Sequence, residues 1–260
     1  VLMLDVSPST RYQINDIRYA AIKFVDQLRP NDKVMVVTFD EKYQVLCEPT
    51  SDRRILHYAI MQSRFRGGTS LYEAVGHVVN GEIPKIEGRK AVVLFTDGVD
   101  TTSVGADFQS TLRDAEEVDA LFYPIRYDTL SDMNGGAAPS IDQSVRGLGG
   151  ISGIIVNGKL VQVGNIGAGG GSGTSAAEYE TGRNYLENLA RSSGGRKFEA
   201  GNNLDAAFAG IAEELRRQYS IGYYPETEGQ QGERRQISVR VKRPNMVVRS
   251  KTSYVFGANR

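Results

Sequence analysis

The sequence lacks the features that mark several common classes of protein. Cys47 is the only cysteine, so no disulfide bond can form within the chain. No apolar run approaches the length of a membrane-spanning helix. The 31 basic residues are balanced by 31 acidic residues, which removes any global electrostatic argument for binding nucleic acid or an anionic membrane. We therefore expect no nucleic-acid partner and no membrane span.

The sequence also lacks a visible signal peptide. It opens with the apolar run Val1–Leu4, which is typical of a core strand, so we expect it to be cut from a longer chain. Its 260 residues are enough to bury a substantial core. One large domain with an appendage is the interpretation that this length favours.

Apolar runs alternate with amphipathic helical patterns over most of the chain. Strands are predicted at 1–4, 33–39, 43–47, 90–96, 120–125 and 196–198, and helices at 14–28, 52–63, 71–79, 106–119, around 185–190 and at 204–215. Strands that alternate with helices predict an α/β fold, with a doubly wound, mostly parallel sheet flanked by helices. Only the strand at 43–47 is expected to run antiparallel, at an edge of the sheet.

An insertion interrupts this alternation at residues 129–178, which are rich in Gly, Ser and Ala. Asn157-Gly158 lies between two apolar runs, and this pattern predicts a small β-hairpin. Gly169–Gly173 is typical of a flexible linker. We expect one hairpin and a flexible arm, both inserted into a main domain that covers residues 1–217.

Residues 218–260 form a separate, β-rich extension in this interpretation. Apolar residues alternate along 219–223, 237–241 and 246–256, which predicts three antiparallel strands with one buried face. The sequence therefore predicts a small antiparallel β extension at the C-terminus. Its basic residues are expected on a solvated strand face that blocks edge pairing; they are Arg234, Arg235, Arg240, Lys242, Arg243, Arg249 and Lys251.

Three polar segments could meet around one cation. Residues 5–9 and 95–98 each follow or end a buried apolar run, and 67–70 is a Gly-rich loop. A carboxylate directly after a buried strand lies at the carboxyl end of the sheet, where open α/β folds place their ligands. The candidate ligands in these segments are two carboxylates and three hydroxyls, with no His or Cys. This oxygen set suits Mg²⁺ or Mn²⁺, with Ca²⁺ as a further alternative, rather than zinc.

In combination these segments resemble the von Willebrand factor A domain, a Rossmann-like fold. Its members form a metal ion-dependent adhesion site from Asp-x-Ser-x-Ser after a first strand, a Thr in a later Gly-rich loop, and Thr-Asp-Gly after a fourth strand. The resemblance implies that the metal ligands are Asp5, Ser7, Ser9, Thr69 and Asp97. It also implies that the hydroxyls touch the metal directly, while the two aspartates often act through water.

Uncharged direct ligands leave the charge of a cation poorly compensated, so the resemblance implies a further carboxylate from outside the chain. We expect a metal-dependent protein-binding module, for adhesion or assembly, that captures a Glu or Asp of a protein partner. We expect no catalytic residues. Residues 215–225 also resemble the closing segment of a bacterial VWA-related family named for Acidobacteria. The secreted members of the wider family favour an extracytoplasmic or secreted location.

Other interpretations stay open at this point. Taken one segment at a time, Ser9 and Thr10 could cap the following helix, Ser70 could cap the next one, and Asp97-Gly98 could be only a turn. A hydrolase with Asp5 as a strand-end nucleophile is the enzymatic alternative, although such enzymes place a second Asp where this chain has Ser7. The two histidines, at positions 57 and 77, fall on predicted helices, away from the strand ends. A structural domain with a vestigial metal site is the third alternative.

Overall fold

A six-stranded sheet forms the centre of the protein, as seen in a computed structural model. The structure describes residues 1–10, 14–64, 67–127, 153–156, 159–162, 175–200, 204–219, 221–227 and 229–257. The strand order is β3-β2-β1-β4-β5-β8, and only β3 runs antiparallel to its neighbour. The strands are β1 Leu2–Asp5, β2 Val34–Phe39, β3 Tyr43–Thr50, β4 Ala91–Thr96, β5 Leu121–Arg126 and β8 Phe198–Glu199. The predicted doubly wound, mostly parallel sheet with an antiparallel edge strand is confirmed.

Helices cover both faces of the sheet. They are α1 Ile14–Gln27, α2 Arg53–Met61, α3 Leu71–His77, α4 Phe108–Glu117, α5 Ala176–Ser193 and α6 Leu204–Arg216. One core contains residues of α1, α2 and α6, and the other contains residues of α3, α4 and α5. Leu2 and Leu4 of β1 point into the first core and Met3 into the second. Because both faces of β1 are buried, its sequence is a continuous apolar run rather than an alternating one.

Local capping explains where several helices begin and end. The Asp52 carboxylate accepts from the Arg54 backbone N–H at the start of α2. Asp107 and Ser175 each form a reciprocal capping box, at the start of α4 and α5. Gly194 ends α5 with a φ of 82°, a left-handed conformation that suits glycine.

The predicted hairpin in the insertion is confirmed. Its strands are β6 Gly153–Val156 and β7 Lys159–Gln162, which pair in antiparallel register. The Asn157-Gly158 turn and the Gly-rich segment 169–173 lie outside the described residues. Regular structure continues with α5, which begins at Ala176 and so includes the last residues of the region that the sequence assigns to the insertion.

The predicted small antiparallel β extension at the C-terminus is confirmed, but the prediction that it contains three alternating strands is wrong. The extension contains one antiparallel pair, β9 Arg234–Gln236 with β10 Ser253–Val255. Tyr219, Ile221 and Tyr223 have exposed fractions of 86%, 74% and 57%, so the first predicted strand has no buried face. Alternation stabilises a strand only where another surface covers its apolar side.

Across the described ranges, no helix combines the length and apolar character that crossing a membrane requires.

The extension is held to the main domain by charged side chains. Glu116, at the end of α4, forms an ion pair of 2.6 Å with Arg234 and accepts a hydrogen bond from Ser253. Lys251 donates to the Glu116 backbone carbonyl at 2.9 Å, and Arg249 pairs with Glu214 of α6 at 3.0 Å. Three of the basic residues that were expected on a solvated face therefore bind the main domain.

Replacing Glu116 by alanine should release this extension while the central sheet stays folded. The Glu116 side chain is 9% exposed, but Arg234 is 58% exposed, so solvent limits the loss to about 1 kcal/mol. Hydrogen exchange at 234–236 and 253–255 should become faster. Glu117→Ala is the matched control, because Glu117 is the exposed neighbour. Unchanged exchange in Glu116→Ala would contradict this account of the attachment.

Candidate metal centre

Two neighbouring strands bring polar side chains together at the carboxyl edge of the sheet. Asp5 ends β1 and Thr96 ends β4, and the two strands are paired in parallel. The Asp5 side chain is fully buried, and its Oδ2 accepts a hydrogen bond from Thr96 Oγ1 at 2.6 Å. Its Oδ1 accepts from the Ser7 backbone N–H at 2.9 Å. These bonds fix the Asp5 carboxylate at the end of the strand.

The turn after β1 places the two serines side by side. Pro8–Thr10 forms a single turn of 3₁₀ helix directly after Ser7. Ser7 Oγ and Ser9 Oγ are 3.0 Å apart and share a hydrogen bond. Ser7 is buried and Ser9 is half-buried, and both follow Asp5 directly after the end of β1.

The loop after β4 presents Asp97. Asp97 is 1% exposed, and its Oδ1 accepts a hydrogen bond from the Val99 backbone N–H at 3.0 Å. Gly98 has a φ of 89°, a conformation that side chains disfavour, and its N–H donates to Thr96 Oγ1 at 3.0 Å. The helix α5 approaches this loop through Gly182, where an added Cβ would lie 2.4 Å from the Gly98 carbonyl oxygen.

Thr69 lies in a loop that is bonded to the loop after β4. The Thr69 backbone N–H donates to Thr101 Oγ1 at 3.0 Å, and the Thr101 N–H donates to the Thr69 carbonyl at 2.8 Å. Thr69 is 1% exposed. Ser70 Oγ is 2.7 Å from Thr102 Oγ1, and the Ser70 side chain makes no capping bond to α3. The alternative that Ser70 serves as a helix cap is therefore wrong.

Burying two carboxylates close together destabilises the folded state when both are ionised. Burial raises the pKa of Asp5 well above its usual range, the charge of Asp97 raises it further, and the bonds from Ser7 and Thr96 oppose the rise. A raised pKa in the folded state means that this group favours folding at acidic pH. That contribution is lost as the pH rises from about 4, the usual pKa of an aspartate, toward neutrality. A cation between the carboxylates would remove this cost.

The side chains present fit a hard divalent cation. In the described part of the chain, no group of three or more His, Cys, Asp or Glu side chains is placed to hold a metal. The candidate centre therefore depends on hydroxyl oxygens beside Asp5 and Asp97, which is the donor chemistry of Mg²⁺ or Mn²⁺. The structure brings Asp5, Ser7, Ser9 and Asp97 to one edge. The Thr69 loop is hydrogen-bonded to the loop that carries Asp97, through Thr101.

The roles of two residues beside this centre were not predicted from the sequence. Thr96 bonds directly to Asp5, and its position follows once β1 and β4 are known to be parallel neighbours. Tyr127 directly follows β5 at the same edge and is 2% exposed. No local sequence pattern distinguishes it from a core tyrosine.

The other residues considered for chemistry have contacts elsewhere. His57 Nε2 lies 2.8 Å from Asp26 Oδ1, and the His77 ring stacks on Tyr43 at 5.3 Å between ring centroids. Cys47 is half-buried on β3, and its thiol donates to the Glu48 carbonyl. None of these contacts places a general base beside Ser7 or Ser9.

Comparisons with known proteins agree with this fold. Residues 1–99 match the sequence model of the von Willebrand factor type A domain. A crystal structure of the conserved hypothetical protein BatB from Bacteroides thetaiotaomicron is 18% identical, with a TM-score of 0.55, over 83% of this chain and 96% of that one. This chain therefore has a von Willebrand factor A-like fold. The A-domain match covers β1 to the Asp97 loop, which includes every candidate ligand.

Two further solved structures share the A-domain fold. An aerotolerance-related membrane protein from Bacteroides fragilis is 17% identical, with a TM-score of 0.55, over 84% of this chain and 98% of that one. Proximal thread matrix protein 1 of the mussel byssus is 14% identical, with a TM-score of 0.51. That structure is described with zinc in its MIDAS motif, the metal ion-dependent adhesion site. That match covers 82% of this chain and 44% of the mussel chain. No curated protein matches the sequence, and the resemblance of residues 215–225 to the Acidobacteria-named family stays a prediction.

Proposed function

We propose that this A domain is a metal-dependent protein-binding module that captures an acidic side chain of a partner. The observation that carries the proposal is the cluster of Asp5, Ser7, Ser9 and Asp97 at the carboxyl edge of the sheet. Its oxygen donors include only two carboxylates, which are buried together. A divalent cation bound there would supply an open coordination position for a carboxylate from another chain.

Each side chain has a distinct role in this proposal. The hydroxyls of Ser7, Ser9 and Thr69 would coordinate the cation directly. Asp5 and Asp97 would bind it directly or through water, while their bonds from Thr96 and from the Val99 N–H keep both carboxylates in place. Mg²⁺ or Mn²⁺ is the proposed cation, with Ca²⁺ as the alternative, because all donors are oxygens.

The same contacts favour binding over catalysis. Both oxygens of Asp5 already accept hydrogen bonds, and the position that a strand-end Asp hydrolase uses for its acid is Ser7. Ser7 shares its hydroxyl bond with Ser9, and both histidines contact other groups. We propose that the domain is not an enzyme. A test must therefore distinguish metal-dependent binding from two alternatives, a hydrolase and a structural domain with a vestigial metal site.

An extracytoplasmic location is part of this proposal. It is supported by the kinds of protein that share the fold, a membrane protein of Bacteroides fragilis and a matrix protein of mussel byssus. The single cysteine leaves no disulfide to argue from. Fractionation of the native organism with an antibody to this domain would test the location directly.

The binding experiment uses a panel of peptides that contain one Glu, each paired with a peptide in which Gln replaces it. We expect the Glu peptides to bind in Mg²⁺, and to lose binding both in EDTA and on replacement by Gln, because only a carboxylate can complete the coordination of the cation. Equal binding in EDTA would contradict the proposal. A wild-type domain that binds no Mg²⁺ by calorimetry would favour the vestigial site, and turnover of a generic phosphate ester would favour the hydrolase.

A further inference from the structure

Tyr127 lies beside the candidate metal centre, at the same edge of the sheet. It directly follows β5, and its backbone N–H lies 3.4 Å from the Thr96 carbonyl oxygen, next to Asp97. The Tyr127 ring stacks on Phe95, with 4.6 Å between ring centroids and 18° between the ring planes. The side chain is 2% exposed. The stacked ring therefore fixes where the hydroxyl is placed.

The Tyr127 hydroxyl lies close to the Ser9 hydroxyl and to the Asp97 backbone. Within the described ranges, the hydroxyl makes no hydrogen bond of regular geometry. Burial, and then the charges of Asp5 and Asp97, raise the pKa of Tyr127 far above its usual value, so the group is a neutral phenol. A buried polar group without a regular bond destabilises the fold, and phenylalanine would fill the same space without that cost.

We propose that the Tyr127 hydroxyl is a positioning group of the metal centre, which orients the Ser9 hydroxyl toward a divalent cation. This inference rests on the metal-binding function proposed above. Ser7 and Ser9 share one hydrogen bond at 3.0 Å, and that bond occupies a lone pair of one hydroxyl. If both oxygens turn their lone pairs to a cation, the proton of Ser9 needs another acceptor. The phenolic oxygen of Tyr127 lies beside it and can accept this proton.

Tyr127→Phe tests the inference, because it removes one oxygen and keeps the stacked ring. We expect the dissociation constants for Mg²⁺ and Mn²⁺, measured by calorimetry, to rise about tenfold, the lower end of the effect of groups that orient metal ligands. The melting temperature in EDTA should stay the same or rise, because the removed hydroxyl has no regular bond. A purely structural role would lower that melting temperature and leave the dissociation constants unchanged.

Tyr185→Phe is the matched control. Tyr185 is also buried, but its hydroxyl donates a regular hydrogen bond of 3.0 Å to Thr111 Oγ1. We expect this variant to melt at a lower temperature in EDTA and to bind both metals like the wild type. The two tyrosine variants should thus show opposite patterns of stability and affinity.

A double-mutant cycle with Ser9→Ala asks whether Tyr127 acts through Ser9. In the Ser9→Ala background, Tyr127→Phe should cause no further loss of metal affinity. Independent losses that multiply, or equal affinities of wild type and Tyr127→Phe, overturn the inference and leave the proposed function standing. A wild-type domain that binds neither metal overturns the proposed function, and this inference with it.

Discussion

Replacing Asp97 by asparagine should remove the stabilisation of this domain by Mg²⁺ without disrupting its fold. Asparagine keeps an oxygen for the Val99 N–H, which bonds to Asp97 at 3.0 Å, but it removes a charge from the proposed metal ligands. At a Mg²⁺ concentration a hundred times the dissociation constant, the wild type gains about 2.7 kcal/mol of unfolding free energy. Thermal unfolding should show this as a rise of about 5–10 °C in the wild type and no rise in Asp97→Asn.

The same variant should be more stable than the wild type in EDTA at neutral or alkaline pH. The charge of Asp97 helps to raise the pKa of Asp5, so ionisation of the buried pair costs the wild type stability as the pH rises. Asparagine removes that repulsion, and the variant should lose less stability between pH 5 and pH 8. Urea unfolding at both pH values in EDTA measures the difference.

Asp119→Asn is the control for this pair of measurements. It removes the same charge from a side chain that is 77% exposed and lies 3.6 Å from Lys90, away from the centre. It should keep the full Mg²⁺ response. If Asp97→Asn also kept that response, the assignment of Asp97 to the metal site would be wrong.

The central fold could be predicted because its signals are local. The strands β1, β2, β4 and β5 are buried on both faces over most of their length, so a short apolar run such as Val34–Phe39 marks each of them directly. Helix stops such as Gly194 carry their own conformational signature. The C-terminal extension differs in this respect. Alternation along 219–223 and 237–241 specifies a strand only if another part of the protein packs on its apolar face. The sequence pattern does not show whether such packing exists.

In the candidate site, too, some features could be predicted from the sequence and others could not. Asp5, Ser7, Ser9, Thr69 and Asp97 were predicted because they lie in short motifs at strand ends or in a Gly-rich loop. Their bonding could not be predicted, since it depends on contacts between distant segments. Thr96 bonds to Asp5 across 91 residues, and Glu116 holds an extension that follows it by more than a hundred residues. Such contacts follow from strand register and helix packing, which a single sequence does not reveal.

Gly182 is the clearest case of a residue whose importance appears only in the fold. It lies inside helix α5, before the region around 185–190 where the sequence predicts a helix, and glycine in a helix is about 1 kcal/mol less favourable than alanine. In the structure, α5 crosses the Asp97 loop so closely that a Cβ at Gly182 would lie 2.4 Å from the Gly98 carbonyl oxygen and 2.6 Å from its carbon. Both contacts are with backbone, so no change of rotamer can relieve them.

Gly182→Ala should therefore destabilise the domain and weaken metal binding together. The helix or the loop must move by about 1 Å to restore ordinary contacts. The cost of such overpacking exceeds the gain in helix propensity, and we expect a net loss of about 2 kcal/mol. Because Asp97 directly precedes Gly98, the same displacement moves a proposed ligand, and the dissociation constant for Mg²⁺ should rise.

Gly76→Ala separates the clash from the general effect of adding a methyl group to a helix. Gly76 lies in α3, and a Cβ there would meet only Ala106 Cβ, at an ordinary 3.9 Å. Because nothing opposes the gain in propensity, this variant should be as stable as the wild type or more stable, with the same Mg²⁺ affinity. Urea unfolding and calorimetry on both variants decide the matter. If Gly182→Ala matched Gly76→Ala in both measurements, the close approach of α5 would have no part in holding the Asp97 loop.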